Sequence, residues 1–341
     1  PLFSRVGCRV GCIFKPPLFN FLRGMSQTSI IIFLCSVHLS FATHETMFGI
    51  QDGHLCNGIQ WSMPSPTGNA PPATADFTFT TISVPSIDSS DDTIVAFGGK
   101  VGSLNATSNL YTLDPEENHW STPAVVGQAI PVSSFSATAA TSLLWVFGGV
   151  TSDGLPSNTL QYLDAGQWKW VQADAIGTYP SPRSHHAALY IDATASIYFF
   201  GGLGVGGTVL GDAYVLNVAD PQAAVWSQPV ISGTPPSPRS GHSIAYIGTG
   251  DVLIIFGGRS STVLLNDVVT WSALSNVWTR PPIYGSKPTG RAYHTATVVL
   301  EHMWVVGGTA LVGINERPVS EVYALELDFN TWKAYTPATT P

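Results

Sequence analysis

The chain is poor in cysteine and in charge. Of its 341 residues four are cysteines, and Cys8, Cys12 and Cys35 all fall within the first 42 positions. Only Cys56 follows, so no internal disulfide can brace the rest. Cys56 is either a small buried hydrophobe or the partner of a cysteine beyond Pro341. Charged residues make up 11%, with 14 basic against 22 acidic and a net charge of −8. Residues 1–42 hold four of the basic residues and no acid, so the remainder carries 10 against 22, or −12. No basic stripe exists to meet phosphates, which excludes nucleic acid as a partner. No apolar run reaches the ~20 residues that a membrane-spanning helix needs. Motifs for common catalysis are also missing: there is no Gly-x-Ser-x-Gly elbow, P-loop or dinucleotide fingerprint. Gly202-Leu-Gly204-Val-Gly206-Gly207 is glycine-rich, but it lies between a doublet and a strand and reads as an inter-strand loop. No cofactor is expected.

What the chain does have is repetition. Five apolar stretches run into a glycine doublet: Gly98-Gly99, Gly148-Gly149, Gly201-Gly202, Gly257-Gly258 and Gly307-Gly308. The intervals are 50, 53, 56 and 50 residues. A fixed period of this size marks a repeat architecture. Each doublet is followed by an aromatic or apolar strand (Tyr111, Tyr214 and Tyr323, with Val269 in repeat four) and then by a tryptophan. The tryptophans are Trp120, Trp170 (with Trp168 close by), Trp226, Trp278 and Trp332. A proline-rich turn precedes the next doublet, and in three repeats it carries Arg183/His186, Arg239/His242 and Arg291/His294. Apolar runs of four to six residues bounded by Gly, Pro, Asn and Asp are strand signals, and no sustained 3.6-residue period competes with them. Each unit therefore predicts four short strands. The doublets allow sharp, close-packed turns, and the aromatics fill the wedge between neighbouring sheets.

These doublets, aromatics and Arg-x-x-His turns resemble the kelch-repeat β-propeller family over roughly residues 61–335. The resemblance implies an all-β propeller of four-stranded blades, five of them complete in this chain. It departs in places. Repeat two has Val132 and Phe135 where Arg and His belong, and repeat one has no recognisable pair around Pro72–Phe79. Ile59-Gln-Trp61-Ser-Met looks like a further outer strand standing before repeat one. The expectation is a ring of six or seven blades of which this chain holds part. The predicted organisation is an unassigned segment 1–24, a signal peptide 25–42, a lead-in 43–58, the propeller 59–337 and a continuation 338–341.

The leader rests on Met25 and the apolar run Ile30–Ala42, whose length suits a signal-peptide core and whose Ser40-Phe-Ala42 suits cleavage. Residues 1–24 read as lying upstream of translation. Asn105-Ala-Thr107 is a glycosylation sequon between a doublet and Tyr111, compatible with an exposed glycan.

The Arg/His pairs are the most tempting candidates for chemistry. They recur at one place in successive repeats, so a structural task, tying a turn to its neighbour, is expected of them. His185 is expected to be merely exposed. His44, His54, His119 and His302 are scattered without metal-ligand spacing. Propellers similar to galactose oxidase carry a copper radical site, which in that family needs two His, two Tyr and a Cys; no residue here can be matched to it. The loops Lys100–Asn109, Val150–Asn158, Leu203–Asp212, Arg259–Asn266 and Thr309–Ser320 should share one face. The resemblance implies a non-catalytic protein-interaction scaffold, secreted or at the cell surface. The alternative is an extracellular carbohydrate-binding or copper-oxidase propeller. A membrane role is expected only with an anchor beyond Pro341.

Overall fold

The computed structural model describes residues 66–335, apart from 86–89, 102–104, 116 and 249. The expected leader, the lead-in, the Trp61 strand and residues beyond 335 lie outside the described residues.

Five antiparallel sheets follow one another along the chain, as kelch blades do. Blade 2 shows the pattern most simply. Its inner strand Ser136–Ala140 pairs with Leu143–Phe147, then Leu160–Asp164, then the outer strand Lys169–Gln172. The second strand is buried at every residue, because both faces of a blade are covered by neighbours. Blade 1 runs Thr78–Pro85, Ser90–Phe97, Leu110–Asp114, His119–Ser121. Blade 3 runs Ala187–Ile191, Ser196–Leu203, Val209–Asn217, Val225–Ser227. Blade 4 runs Ser243–Ile247, Val252–Phe256, Val268–Ser272, Val277–Thr279, and blade 5 Thr295–Val299, His302–Val306, Val322–Glu326, Thr331–Tyr335. Inner strands pack on one another in chain order from blade 1 to blade 5.

Each blade also carries a short strap that runs parallel to its outer strand. Thr67–Gly68, Ile176–Gly177, Ser232–Gly233 and Tyr284–Gly285 form it as paired residues, and Val126 forms it in blade 2 as a single bridge to Lys169. The glycine follows the preceding repeat's tryptophan by seven residues: 120 to 127, 170 to 177, 226 to 233 and 278 to 285. Gly68 follows Trp61 by the same seven. The sequence reading missed this second glycine signature. Its cause is contact: a Cβ on Gly177 would lie 2.1 Å from the Trp226 carbonyl oxygen.

Blades are joined by a repeated aromatic clamp. The phenylalanine before each of the first four doublets lies between two rings of the next blade. Phe147 meets His186 at 5.4 Å and Trp226 at 4.9 Å between centroids. Phe200 meets His242 and Trp278, and Phe256 meets His294 and Trp332. Phe97 meets Phe135 and Trp170, so blade 2 keeps the clamp with a phenylalanine in the histidine's place. The clamp tryptophans are all buried, as is Trp120 in blade 1. Tyr214 lies on the edge of this packing, 6.4 Å from Trp226, and Tyr323 stands likewise to Trp332. Tyr111, half-buried, packs against the cluster around Trp120.

Candidate functional site

Residues converge on the end of the propeller that carries the glycine doublets. All ten doublet glycines have positive φ, from +64° to +111°. The second of each pair is also sterically enforced: a Cβ on Gly149 would sit 2.7 Å from the Ser133 carbonyl oxygen. The doublet thus brings its loop against the turn that opens the blade's inner strand.

In blades 3 to 5 that turn is held by the arginine. Arg183 is fully buried and uses all five of its N–H donors. Nη1 donates to Gly201 O at 3.1 Å and to Asp212 Oδ1 at 2.7 Å. Nη2 donates to Asp212 Oδ2 and Ser181 Oγ, and Nε to Ser181 O. Arg239 repeats this with Gly257 O, Asp267 and Ser237. Arg291 makes four of these bonds, to Gly307 O, to one carboxylate oxygen of Glu321 and to the carbonyl and hydroxyl oxygens of Thr289. Arg183 also covers the face of Tyr214, and Arg291 that of Tyr323. Burial alone would raise the Asp267 pKa, but the hydrogen bonds and charges of Arg239 and Arg280 outweigh it and hold the carboxyl below its usual range. Each buried arginine is thus a bolt within its own blade, and Arg183 and Arg239 have every donor occupied.

Strand register shows what replaces the bolt in blades 1 and 2. The arginine position holds Thr74 and Val132, and the acid position Asn109 and Thr159. The tyrosine position in blade 2 is Gln161, not a tyrosine. Gln161 Nε2 donates to Ile130 O at 3.1 Å while its Oε1 accepts from Ile130 N at 2.9 Å. In blade 1 the Thr74 hydroxyl donates to Pro72 O at 2.7 Å. In every blade, therefore, the carbonyl two residues before the arginine position is tied down by a side chain.

The histidines are buried between blades. His186 Nε2 bonds Ser136 Oγ of the preceding blade at 2.8 Å, and His294 Nε2 bonds Ser243 Oγ at 2.8 Å. For His242 the matching inner-strand position holds Ala187, which has no hydroxyl to offer, and neither ring nitrogen of His242 has a hydrogen-bond partner among the described residues. Burial first, and the adjacent arginine second, lower all three pKa values. His242 and His294 fall to about 3, and His186 falls well below its ordinary value. Neutral and enclosed at physiological pH, they have no substrate to meet. Of the other histidines, His119 bonds the Thr67 hydroxyl and His302 lies 3.6 Å from Glu326.

At the axis the structure corrects one expectation. His185 is half-buried, because it belongs to a row of left-handed residues, one per blade. These are Asp76, Ser134, His185, Gly241 and Tyr293, with φ between +53° and +59°. Each N–H donates to the carbonyl of its predecessor: Ser134 to Asp76 at 2.9 Å, His185 to Ser134 at 2.8 Å, Gly241 to His185 at 2.9 Å and Tyr293 to Gly241 at 2.7 Å. The His185 and Tyr293 rings meet edge to face at 5.4 Å across two blades. A Cβ on Gly241 would collide with the Tyr293 ring at 2.8 Å. Arg259, ion-paired with Glu316, acts electrostatically on Tyr293, as does Asp76, itself 3.6 Å from Lys100.

Around this axial group, every doublet loop exposes an aliphatic side chain: Val101, Leu155, Val205, Val263, and in blade 5 Leu311, Val312 and Ile314. The blade 5 loop is a ribbon, Thr309–Val312 with Asn315–Pro318, and Ile314 at its tip is 93% exposed. Asn105 is exposed in the blade 1 loop, while Thr107 bonds Gly98 O. Sequence spacing located these loops; it gave no sign of the axial row, whose five members share a conformation and not a residue type.

A family model described as the KLHDC2/KLHL20/DRC7 Kelch-repeats domain matches residues 54–222 and 196–341. Host cell factor 1 of Rattus norvegicus is 30% identical over 233 residues, covering 63% of this chain and 11% of that protein. Acyl-CoA-binding domain-containing protein 4 of Arabidopsis thaliana is 33% identical over 200 residues, covering 57% of this chain and 29% of that protein. Host cell factor of Drosophila melanogaster is 26% identical over 332 residues, covering 87% of this chain and 21% of that protein. The chain thus spans less than a third of each of these relatives.

Proposed function

The chain belongs to the kelch-repeat family, and from that premise we propose that it is a non-catalytic scaffold that holds a protein partner on the glycine-doublet face. One observation carries this: all five loops of that face present an aliphatic side chain to solvent, around the His185–Tyr293 pair and Arg259. An apolar ring with central tyrosine and arginine has the composition of an interface centre. The buried, neutral histidines favour a scaffold over acid–base chemistry. The leader-like segment 25–42 supports export, so the partner is extracellular and any glycan sits at Asn105.

The test is capture of secreted proteins by the purified chain. Changing Val205, Val263 and Ile314 to Asp should abolish retention of the partner. Changing the strap residues Ile176 and Tyr284 to Lys, at the outer rim, should leave it intact. The reverse pattern would overturn the reading. For export, the secreted product should begin at Thr43; an intracellular product with an intact N-terminus would refute it.

A further inference from the structure

We propose that the crevice between blades 1 and 2, at the end of the propeller away from the glycine doublets, binds a single sugar residue. This site is separate from the loop face and does not depend on it. Three observations meet here.

The first is a cavity of about 330 Å³, lined by Val84, Thr93, Thr112, Asp114 and Ser121 of blade 1, by Pro123 just beyond them and by Trp168 of blade 2. That volume is at the lower end of small-molecule sites. The second is the reason for the space. Val95 and Thr112 stand opposite one another in blade 1. The same two places in blade 2 hold Trp145 and Tyr162, whose rings are 4.8 Å apart and fill the next wedge. Blade 1 replaces those rings with a small apolar and a hydroxylated side chain.

The third is Trp168 itself. It lies two residues before the clamp tryptophan, in the turn between third and outer strands, with φ of +47°. Blades 1, 4 and 5 have Asn118, Asn276 and Asn330 there, at +50°, +54° and +50°. Asparagine tolerates this conformation, whereas a bulky side chain in it is a strained exception and a pointer to function. The strain places a half-buried indole against the crevice.

The lining matches a sugar residue group by group. An indole face packs against the C–H face of a pyranose, apolar on one side and polar at its rim. The Thr112 and Ser121 hydroxyls bond one another at 2.7 Å, so the pair offers a ligand one O–H donor together with acceptor lone pairs. The Asp114 carboxylate, which accepts from the Glu117 N–H at 3.0 Å, adds acceptor oxygens to the crevice wall.

The experiment titrates the purified full chain with methyl glucoside, galactoside, mannoside and N-acetylglucosaminide, and with chitobiose and lactose, by saturation-transfer NMR and calorimetry. Tetramethylammonium serves as a cationic probe. At least one methyl glycoside should bind, and Trp168→Asn and Thr112→Val should each weaken it at least about tenfold, or ~1.4 kcal/mol. Trp168→Asn should leave the melting temperature unchanged or raised, since it restores the residue of the sibling blades. Tighter binding of a disaccharide than of its methyl glycoside identifies a glycan terminus as the source; equal binding identifies a free sugar. Three results overturn the proposal: no glycoside binding up to about 10 mM, binding unchanged in both variants, or binding of tetramethylammonium alone.

Discussion

Blades 1 and 2 solve with apolar and neutral side chains what blades 3 to 5 solve with a buried arginine, its partly exposed carboxylate and a buried histidine. In blade 3 the opening turn is bolted by Arg183 and Asp212, and the interblade space is filled by His186. Blade 2 has Val132, Thr159 and Phe135 in the same three places, and Gln161 assumes the arginine's hold on the turn. These residues are scattered along 30 positions and differ as a set. The difference teaches that the bolt is a replaceable unit: burying a charge is tolerable only with its full complement of partners, and removing the whole complement costs little.

Splitting the unit should therefore cost most. Arg239→Leu leaves Gly257 O and Ser237 O without their donor and Asp267 with Arg280 as its remaining partner, and should lower stability by about 3 kcal/mol in urea unfolding. The blade 2 combination, Arg239→Val with Asp267→Thr, should recover a good part of that loss. A double variant as weak as the sum of its singles would end the idea of a replaceable unit.

Acid should separate the two groups of blades next. A histidine whose folded pKa lies below its unfolded value binds fewer protons when folded, so stability is lost as pH falls from about 6.5 towards about 3. At pH 5 the loss is about 2 kcal/mol each for His242 and His294. His242→Phe with His294→Phe, the blade 2 residue in both, should flatten the decline of melting temperature between pH 7 and 5. An unchanged slope would mean that the acid sensitivity lies elsewhere.

Smaller changes probe each solution from within. Gln161→Leu in blade 2 leaves the Ile130 N–H and C=O without their partner and should cost about 2 kcal/mol in thermal or urea unfolding. Ala187→Ser gives His242 the hydroxyl that His186 and His294 already have. It should add about 1 kcal/mol; no gain would show that the buried Nε2 of His242 is already satisfied.

The kelch architecture was legible in the chain because its requirements are local. A strand that must turn through positive φ twice in succession needs glycine, as at Gly148-Gly149, and a clamp between sheets needs a tryptophan of fixed spacing. The same argument applied seven residues beyond each tryptophan would have found the strap glycines. Other features were illegible for a physical reason. The axial row requires a backbone conformation that Asp76, Ser134, His185, Gly241 and Tyr293 all supply, so no shared letter marks it. Gln161 reads as an ordinary strand residue until register sets it against Ile130. The wedge beside Trp168 is open because Val95 and Thr112, on two paired strands of blade 1, are both small.

The sequence alone therefore determined the repeat, the strand class and the positions of the doublets and clamp tryptophans, because backbone strain and burial select residues one site at a time. The tertiary structure decided which substitutions compensate one another, what lies at the axis and where a cavity remains. Those depend on side chains brought together from about 30 to over 100 residues apart, and complementarity between them belongs to no single position.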